Sequence, residues 1–124
     1  MGRRRGSNGE RGQATVEFAL LIPLIVFAAL AVIQVALVVR DQLAVVHAAR
    51  EAAREASVEP DPGSAVSAAH RTLPGADVRV GARPDIGEPI GVDVEYVSVT
   101  DIPLVGALFP DPTLTAHAEM RVER

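Results

Sequence analysis

Residues 18–39 read FALLIPLIVFAALAVIQVALVV, and none of them is charged. A helix over this run is about 33 Å long at 1.5 Å per residue, which is enough to cross a bilayer. The run is also longer than the apolar part of a cleaved secretory signal, which holds about 7 to 15 residues. We therefore predict a retained transmembrane helix over 18–39.

The charges on either side of this helix predict its orientation. Arginines stand at positions 3, 4, 5 and 11 on the N-terminal side against Glu10, whereas Arg40 and Asp41 cancel on the other side. Basic residues are enriched on the cytoplasmic side of membrane helices. We therefore expect a single-pass protein of the cytoplasmic membrane with its N-terminus in the cytoplasm and everything after residue 39 outside it.

The helix is predicted to continue beyond the membrane. Residues 40–57 are rich in alanine and contain neither Gly nor Pro, so we expect one helix over 14–57, bent at Pro23. Spacings of three and four predict the stripe that packs in its outer part: Leu43, Val46, Ala49, Ala53 and Ala56. The charged residues between them are predicted to form a solvated face: Arg50, Glu51, Arg54 and Glu55.

Residues 58–124 predict a small extracytoplasmic α+β head. Prolines and a glycine break the helix after residue 59, and Ser64 is predicted to cap a short helix that ends near Leu73. Alternating apolar and polar residues predict three strands of an antiparallel sheet, around 77–80, 92–96 and 114–122. Because so small a sheet needs a cover, we expect residues 40–57 of the long helix to lie on it.

One connection of the head is unusually apolar. Residues 102–110 read IPLVGALFP, which does not suit an ordinary solvated loop. One interpretation is a lid over the sheet. The other is an exposed contact with the membrane surface or another subunit.

The composition argues against several classes of function. The chain of 124 residues contains no cysteine, which excludes thiol chemistry and zinc ribbons. Its net charge of -4 argues against general nucleic-acid binding. It lacks a nucleophile elbow and a phosphate-binding glycine loop, and its three histidines, His47, His70 and His117, are isolated in the sequence. We expect no enzyme, metal site, cofactor or small-molecule substrate.

The start of the apolar helix carries an acid. Glu17 directly precedes the uncharged run and follows a basic leader that ends in Gly12. A carboxylate inside the hydrocarbon costs about 2.5 to 3.5 kcal/mol at mid-bilayer and less near the edge. By charge alone, Glu17 either rests at the membrane interface or has a function.

The stretch RGQATVEFALLIPLIV, residues 11–26, resembles the class III signal peptide and helix of type IV pilins and pseudopilins. Specifically, it resembles those of TadE-like proteins of the tight-adherence (Flp) pilus system. The similarity continues to AAREAAR at 48–54 and to Leu-Thr-Ala at 114–116.

The resemblance implies a processed subunit. A prepilin peptidase would cut between Gly12 and Gln13, which removes residues 1–12 and leaves Glu17 as the fifth mature residue. Glu17 and Phe18 would then direct assembly and register, and the helix over 13–57 would contact other pilins and the Tad assembly machinery. A chain with an appended head resembles a minor pseudopilin of a pilus used in cell adhesion.

Two other functions would explain the same helix. An uncleaved bitopic membrane protein would anchor an extracytoplasmic interaction domain and keep its leader. A pseudopilin of a related secretion system would share the cleavage but have different partners. Processing at Gly12 separates the first of these from a pseudopilin.

Overall fold

The computed structural model describes residues 8–123, with side chains from residue 12 onward. Its elements in chain order are α1 (Asn8–Val58), α2 (Pro62–Thr72), β1 (Asp77–Val80), β2 (Pro89–Val97) and β3 (Thr113–Arg121). This confirms the predicted α+β fold with a long apolar helix, a short helix and a three-stranded antiparallel sheet. Residues 59–123 are called the head below. Most of the basic leader, residues 1–7, lies outside the described residues.

Helix α1 is continuous over 51 residues. It begins at Asn8 and not at Ala14, so the end of the predicted leader is already helical. Pro23 lies inside the helix, where it removes one backbone donor, and a bend at that position stays a prediction. Within the described residues, Gly12–Val58 is the one helix long and apolar enough to be a candidate membrane span.

Strand β2 is the centre of the sheet, whose order is β1-β2-β3. Both pairings are antiparallel, and Val92 lies opposite Val80 on one side and Ala118 on the other. Val92 and Val94 are buried while Asp93 between them is exposed. The alternation therefore faces one side of the sheet toward a core, as predicted from the sequence.

The core lies between this sheet face, the C-terminal half of α1 and α2. Its α1 members form a wide stripe, called the alanine stripe below: Val45, Ala48, Ala49, Ala52, Ala53 and Ala56. The predicted stripe was right at 49, 53 and 56 but wrong at Leu43, which is 57% exposed, and it missed Val45, Ala48 and Ala52. The predicted Val46 is half-buried and lies outside the core. The stripe is wide because α1 packs against two neighbours, the sheet and α2.

The solvated face of α1 is confirmed for three of its four residues. Arg50, Glu51 and Arg54 are exposed, and Glu55 is half-buried. These charges therefore lie opposite the alanine stripe, as the helical spacing predicted.

Helix α2 begins earlier than predicted. Its cap is Asp61, whose carboxylate accepts a hydrogen bond from the Gly63 backbone N–H at 3.1 Å, and not Ser64. Asp61 is the better cap here because Pro62 occupies the first helical position, where a missing N–H costs nothing. The predicted end near Leu73 is confirmed.

Arg83 stabilises the C-terminal end of α1, beside the start of α2. Its guanidinium donates to the carbonyl oxygens of Ala56 and Glu59, at 2.6 and 3.1 Å. Such terminal carbonyls have no partner within the helix and sit at its negative end, so a cation stabilises them. The sequence analysis did not predict this role, since the contact joins residues far apart in the chain.

The segment 102–110, called the apolar loop below, is not a lid over the sheet. Val105 is fully buried but does not belong to the core beneath the sheet. It lies instead with Ala31, Gln34 and Val35 of α1. The interpretation as a lid was wrong because α1 itself already covers the inner face of the sheet.

Replacing Ala52 by Leu is expected to destabilise the head by about 1 to 3 kcal/mol. Ala52 is completely buried in the core, so three additional carbon atoms have no space. The measurement is urea unfolding of the full chain in detergent micelles. Tyr96 packs against the core and is the only tyrosine of a chain without tryptophan, so its fluorescence reports on the head.

Glu51→Leu is the matched control for this prediction. Residue 51 lies next to Ala52 but is exposed, so the same new side chain should change stability by less than about 0.5 kcal/mol. Equal effects of the two substitutions would mean that the alanine stripe is not tightly packed.

Candidate functional site

The junction singled out in the sequence lies on the first turns of α1. Gly12, Gln13, Glu17 and Phe18 are all helical and exposed. The Gln13 side-chain amide donates to a Glu17 carboxylate oxygen at 3.2 Å, one turn along the helix. The structure therefore brings Gln13 and Glu17 together, while Phe18 points to the surroundings beside them.

Gly12 occupies an open position. An added Cβ there would meet nothing within 4 Å, so a side chain at position 12 is compatible with the fold. As part of a helix, its carbonyl group accepts from the N–H of Val16. A peptidase that cuts after Gly12 must therefore first open this turn, which glycines at positions 9 and 12 make easier because Gly is a poor helix former.

The helix beyond the junction presents a long apolar surface. Its large exposed side chains up to residue 33 are Val16, Phe18, Leu20, Leu21, Ile22, Leu24, Ile25, Val26, Val32 and Ile33. No element of the described chain covers them. A surface of this size needs lipid or other helices around it, since soluble monomers expose only small apolar patches.

This helix is also the part of the chain that similarity to known proteins identifies. Residues 12–54 match the TadE-like protein family. The match begins at Gly12 and includes Glu17, the apolar surface and all of the alanine stripe except Ala56, and it confirms the resemblance seen in the sequence. The whole head lies outside the matched range. No curated protein and no solved structure matches the chain.

A buried amide interrupts the apolar surface of the TadE-like helix. Gln34 is only 7% exposed, and its side-chain nitrogen donates to the Thr100 hydroxyl at 3.3 Å. Its amide oxygen has no hydrogen-bond partner. The sequence showed Gln34 as the lone amide in the run, which was the available sign that this face of the helix meets protein and not lipid.

A second polar contact fixes the head to the TadE-like helix seven residues farther along. The Ser98 hydroxyl donates to an Asp41 carboxylate oxygen at 2.6 Å, and Ser98 is buried. Sequence reasoning treated Asp41 only as the counter-charge of Arg40. The contact spans 57 positions of sequence, so local patterns could not predict it.

The three histidines have different surroundings. His47 and His70 are exposed, and His70 lies within hydrogen-bond distance of the Ala76 carbonyl oxygen, at 2.9 Å. His117 lies between two carboxylates on the outer face of the sheet, with Asp93 at 2.7 Å and Glu119 at 3.1 Å. Among the described residues, no group of three or more His, Asp or Glu side chains is arranged to hold a metal ion.

His117 is expected to make the stability of the head depend on pH. The hydrogen bonds to Glu119 and Asp93 raise the pKa of His117 above its ordinary value of 6.5. The charged form is thus favoured by folding, so the stabilisation is complete below the pKa of the unfolded chain and disappears as the pH rises through the folded pKa.

The pKa of His117 can be read from NMR titration of its ring protons in the micelle-bound chain. Asp93→Asn should lower it, because one carboxylate is lost, while Asp77→Asn at a position that is not bonded to the ring is the control. An unchanged pKa in Asp93→Asn would contradict the assignment.

Proposed function

We propose that this chain is a minor pseudopilin, a structural subunit of a tight-adherence (Flp) pilus, cleaved after Gly12 and assembled through α1. The observation that carries the proposal is the exposed Glu17 at the start of a long uncovered apolar helix that matches the TadE-like family. A surface that is apolar along its whole length but acidic at one end suits lateral packing with copies or relatives of the same helix.

Cleavage would change the charge of the helix start. Removing residues 1–12 deletes four Arg and one Glu, so the formal net charge changes from -4 to -7. The mature helix would begin at Gln13 with a new α-amino group and unpaired backbone N–H groups. The basic anchor on the cytoplasmic side would be gone, so the subunit could be lifted out of the membrane.

Glu17 would then have two classes of cationic partner. The new α-amino group of the same subunit, on Gln13, would lie one helical turn away, where the Gln13 side chain already contacts Glu17 before cleavage. The α-amino group of a neighbouring subunit would be the other, and in an apolar bundle an opposite charge is strongly favoured over an unpaired carboxylate. Pairing between subunits would set their axial register.

The proposed placement puts residues 1–12 in the cytoplasm and the head outside the membrane. The arginines at 3, 4, 5 and 11 support it by the positive-inside rule. The partners are the prepilin peptidase, other pilins and the Tad assembly machinery. The role is structural and not enzymatic, and it requires no cofactor, metal or nucleic acid.

The experiment that tests the proposal is the intact mass and N-terminal sequence of the protein from host membranes, with and without the prepilin peptidase. We expect a mature chain that starts at Gln13 only when the peptidase is present. A chain that starts at Met1 or Gly2 in both strains would instead indicate an uncleaved bitopic anchor.

A further inference from the structure

The apolar loop is held against the helix that is to cross the membrane. Val105 is fully buried beside Ala31, Gln34 and Val35, and Phe109 lies along Val35, Val38 and Val39. The hydrogen bond between Gln34 and Thr100 holds the chain just before the apolar loop against the same part of α1. The head therefore reaches down over the outer part of the predicted span.

Three large side chains of the apolar loop are largely exposed, including the part of Phe109 that does not face α1. Leu104, Leu108 and Phe109 are 67%, 64% and 55% exposed. At the same level of α1, Val35 and Val39 are exposed too. The loop thus continues the uncovered apolar surface of the helix, and does not form a separate patch on the head.

The conformation of the loop is specified by its own contacts. Leu104 has a φ of 69°, a left-handed conformation that is unfavourable for a leucine. Gly106 passes so close to residue 100 that a Cβ would lie 2.5 Å from the Thr100 carbonyl oxygen. The Asp111 carboxylate accepts from the Thr100 backbone N–H at 2.7 Å. These contacts fix a conformation of the loop in which Leu104 is exposed.

This geometry limits how deep the helix can sit. Residues 31–39 cover about 12 Å of helix axis. Irregular backbone and the carboxylates of Asp101 and Asp111 are not stable inside hydrocarbon. The outer boundary of the hydrocarbon must therefore lie near the loop and not at residue 39. Residues 14–33 still give about 30 Å of helix, which is enough to cross.

We propose that the apolar loop is an interfacial anchor, whose Leu104, Leu108 and Phe109 enter the outer headgroup and acyl boundary of the bilayer. This rests on the proposed membrane placement of α1. It moves the span from 18–39 to about 14–33 and brings Glu17 inside its inner boundary. Lipid is the occupant because it surrounds any spanning helix at this level, and the three side chains offer a partner no polar contact.

Tryptophan substitutions test the anchor, because the chain has no natural tryptophan. The full chain with Phe109→Trp or Leu108→Trp is reconstituted in phosphatidylcholine and phosphatidylglycerol vesicles, with bromine on the lipid near the headgroup or deep in the acyl chain. Ile86→Trp is the matched control, since Ile86 is 72% exposed but lies at the opposite end of the head. Phe27→Trp reports on the middle of the span.

We expect blue-shifted emission from Phe109→Trp and severalfold stronger quenching by shallow bromine than for Ile86→Trp. If Phe109→Trp is as accessible to aqueous quencher as Ile86→Trp while Phe27→Trp is quenched by deep bromine, the anchor is wrong and the spanning helix stands. A blue shift that appears only at a high protein-to-lipid ratio, without bromine quenching, would mean that the loop contacts a second copy of the chain. That result would also overturn the anchor. Failure of Phe27→Trp to be quenched would overturn the span and the proposed function together.

Discussion

Replacing Glu17 by Ala should leave cleavage after Gly12 intact and reduce incorporation of the subunit into the pilus more than tenfold. Loss of one member of a desolvated charge pair typically costs about 2 to 5 kcal/mol, and about 1.4 kcal/mol is a factor of ten in an equilibrium. The variant removes the carboxylate from an exposed helical position, so the fold of the monomer has no reason to change. Immunoblots of sheared pili and of membranes measure the two quantities.

Two further variants separate charge from shape. Glu17→Gln keeps the length of the side chain and its contact with Gln13, so failure of this variant would assign the effect to the charge. Glu51→Ala deletes an exposed acid from the solvated face of the same helix and should assemble normally. Normal incorporation of Glu17→Ala would refute the pairing of Glu17 with a subunit terminus.

Replacing Gly12 by Val should abolish processing, so that the entire population keeps its leader. The described helix leaves the Cβ position of Gly12 empty, so valine is tolerated by the chain itself. A β-branched residue costs a helix only about 0.7 kcal/mol or less relative to Ala. Loss of cleavage in this variant would therefore not reflect misfolding of the chain.

The control for Gly12→Val is the same change at Gly9, three residues before the proposed bond. Gly9→Val should still yield a mature chain that starts at Gln13, as measured by intact mass. If Gly12→Val is processed completely, the cleavage does not depend on Gly12, and the proposed cleavage site is wrong. Loss of processing in both variants would instead indicate that opening of the helix start is the limiting step.

The proposed anchor changes the expected position of Glu17 relative to the hydrocarbon of the membrane. With a span over 18–39 the acid lies outside the hydrocarbon and could be solvated. With a span over about 14–33 it lies just inside the inner boundary, where an unpaired carboxylate is costly. The contacts of the apolar loop at one end of the helix would then increase the advantage of pairing Glu17 at the other.

The candidate site could be read from the sequence, whereas the attachment of the head could not. Gly12, Gln13 and Glu17 are consecutive or one turn apart, so helical spacing alone predicts that the last two meet. Gln34 and Thr100 are separated by 66 positions, and Asp41 and Ser98 by 57. Contacts of that kind depend on how the strands are placed on the helix, which no local pattern contains.

By itself the sequence determined the apolar helix, the three strands and the acid at the helix start. Hydropathy and alternation are properties of neighbouring residues, and they persist whatever the rest of the chain does. Only the tertiary structure decided that Val45 and not Leu43 faces the core, and that the apolar loop covers α1 and not the sheet. Several overlapping stripes of one helix are apolar enough to be buried, and the choice among them is made by the surfaces of the sheet and α2 that pack against it.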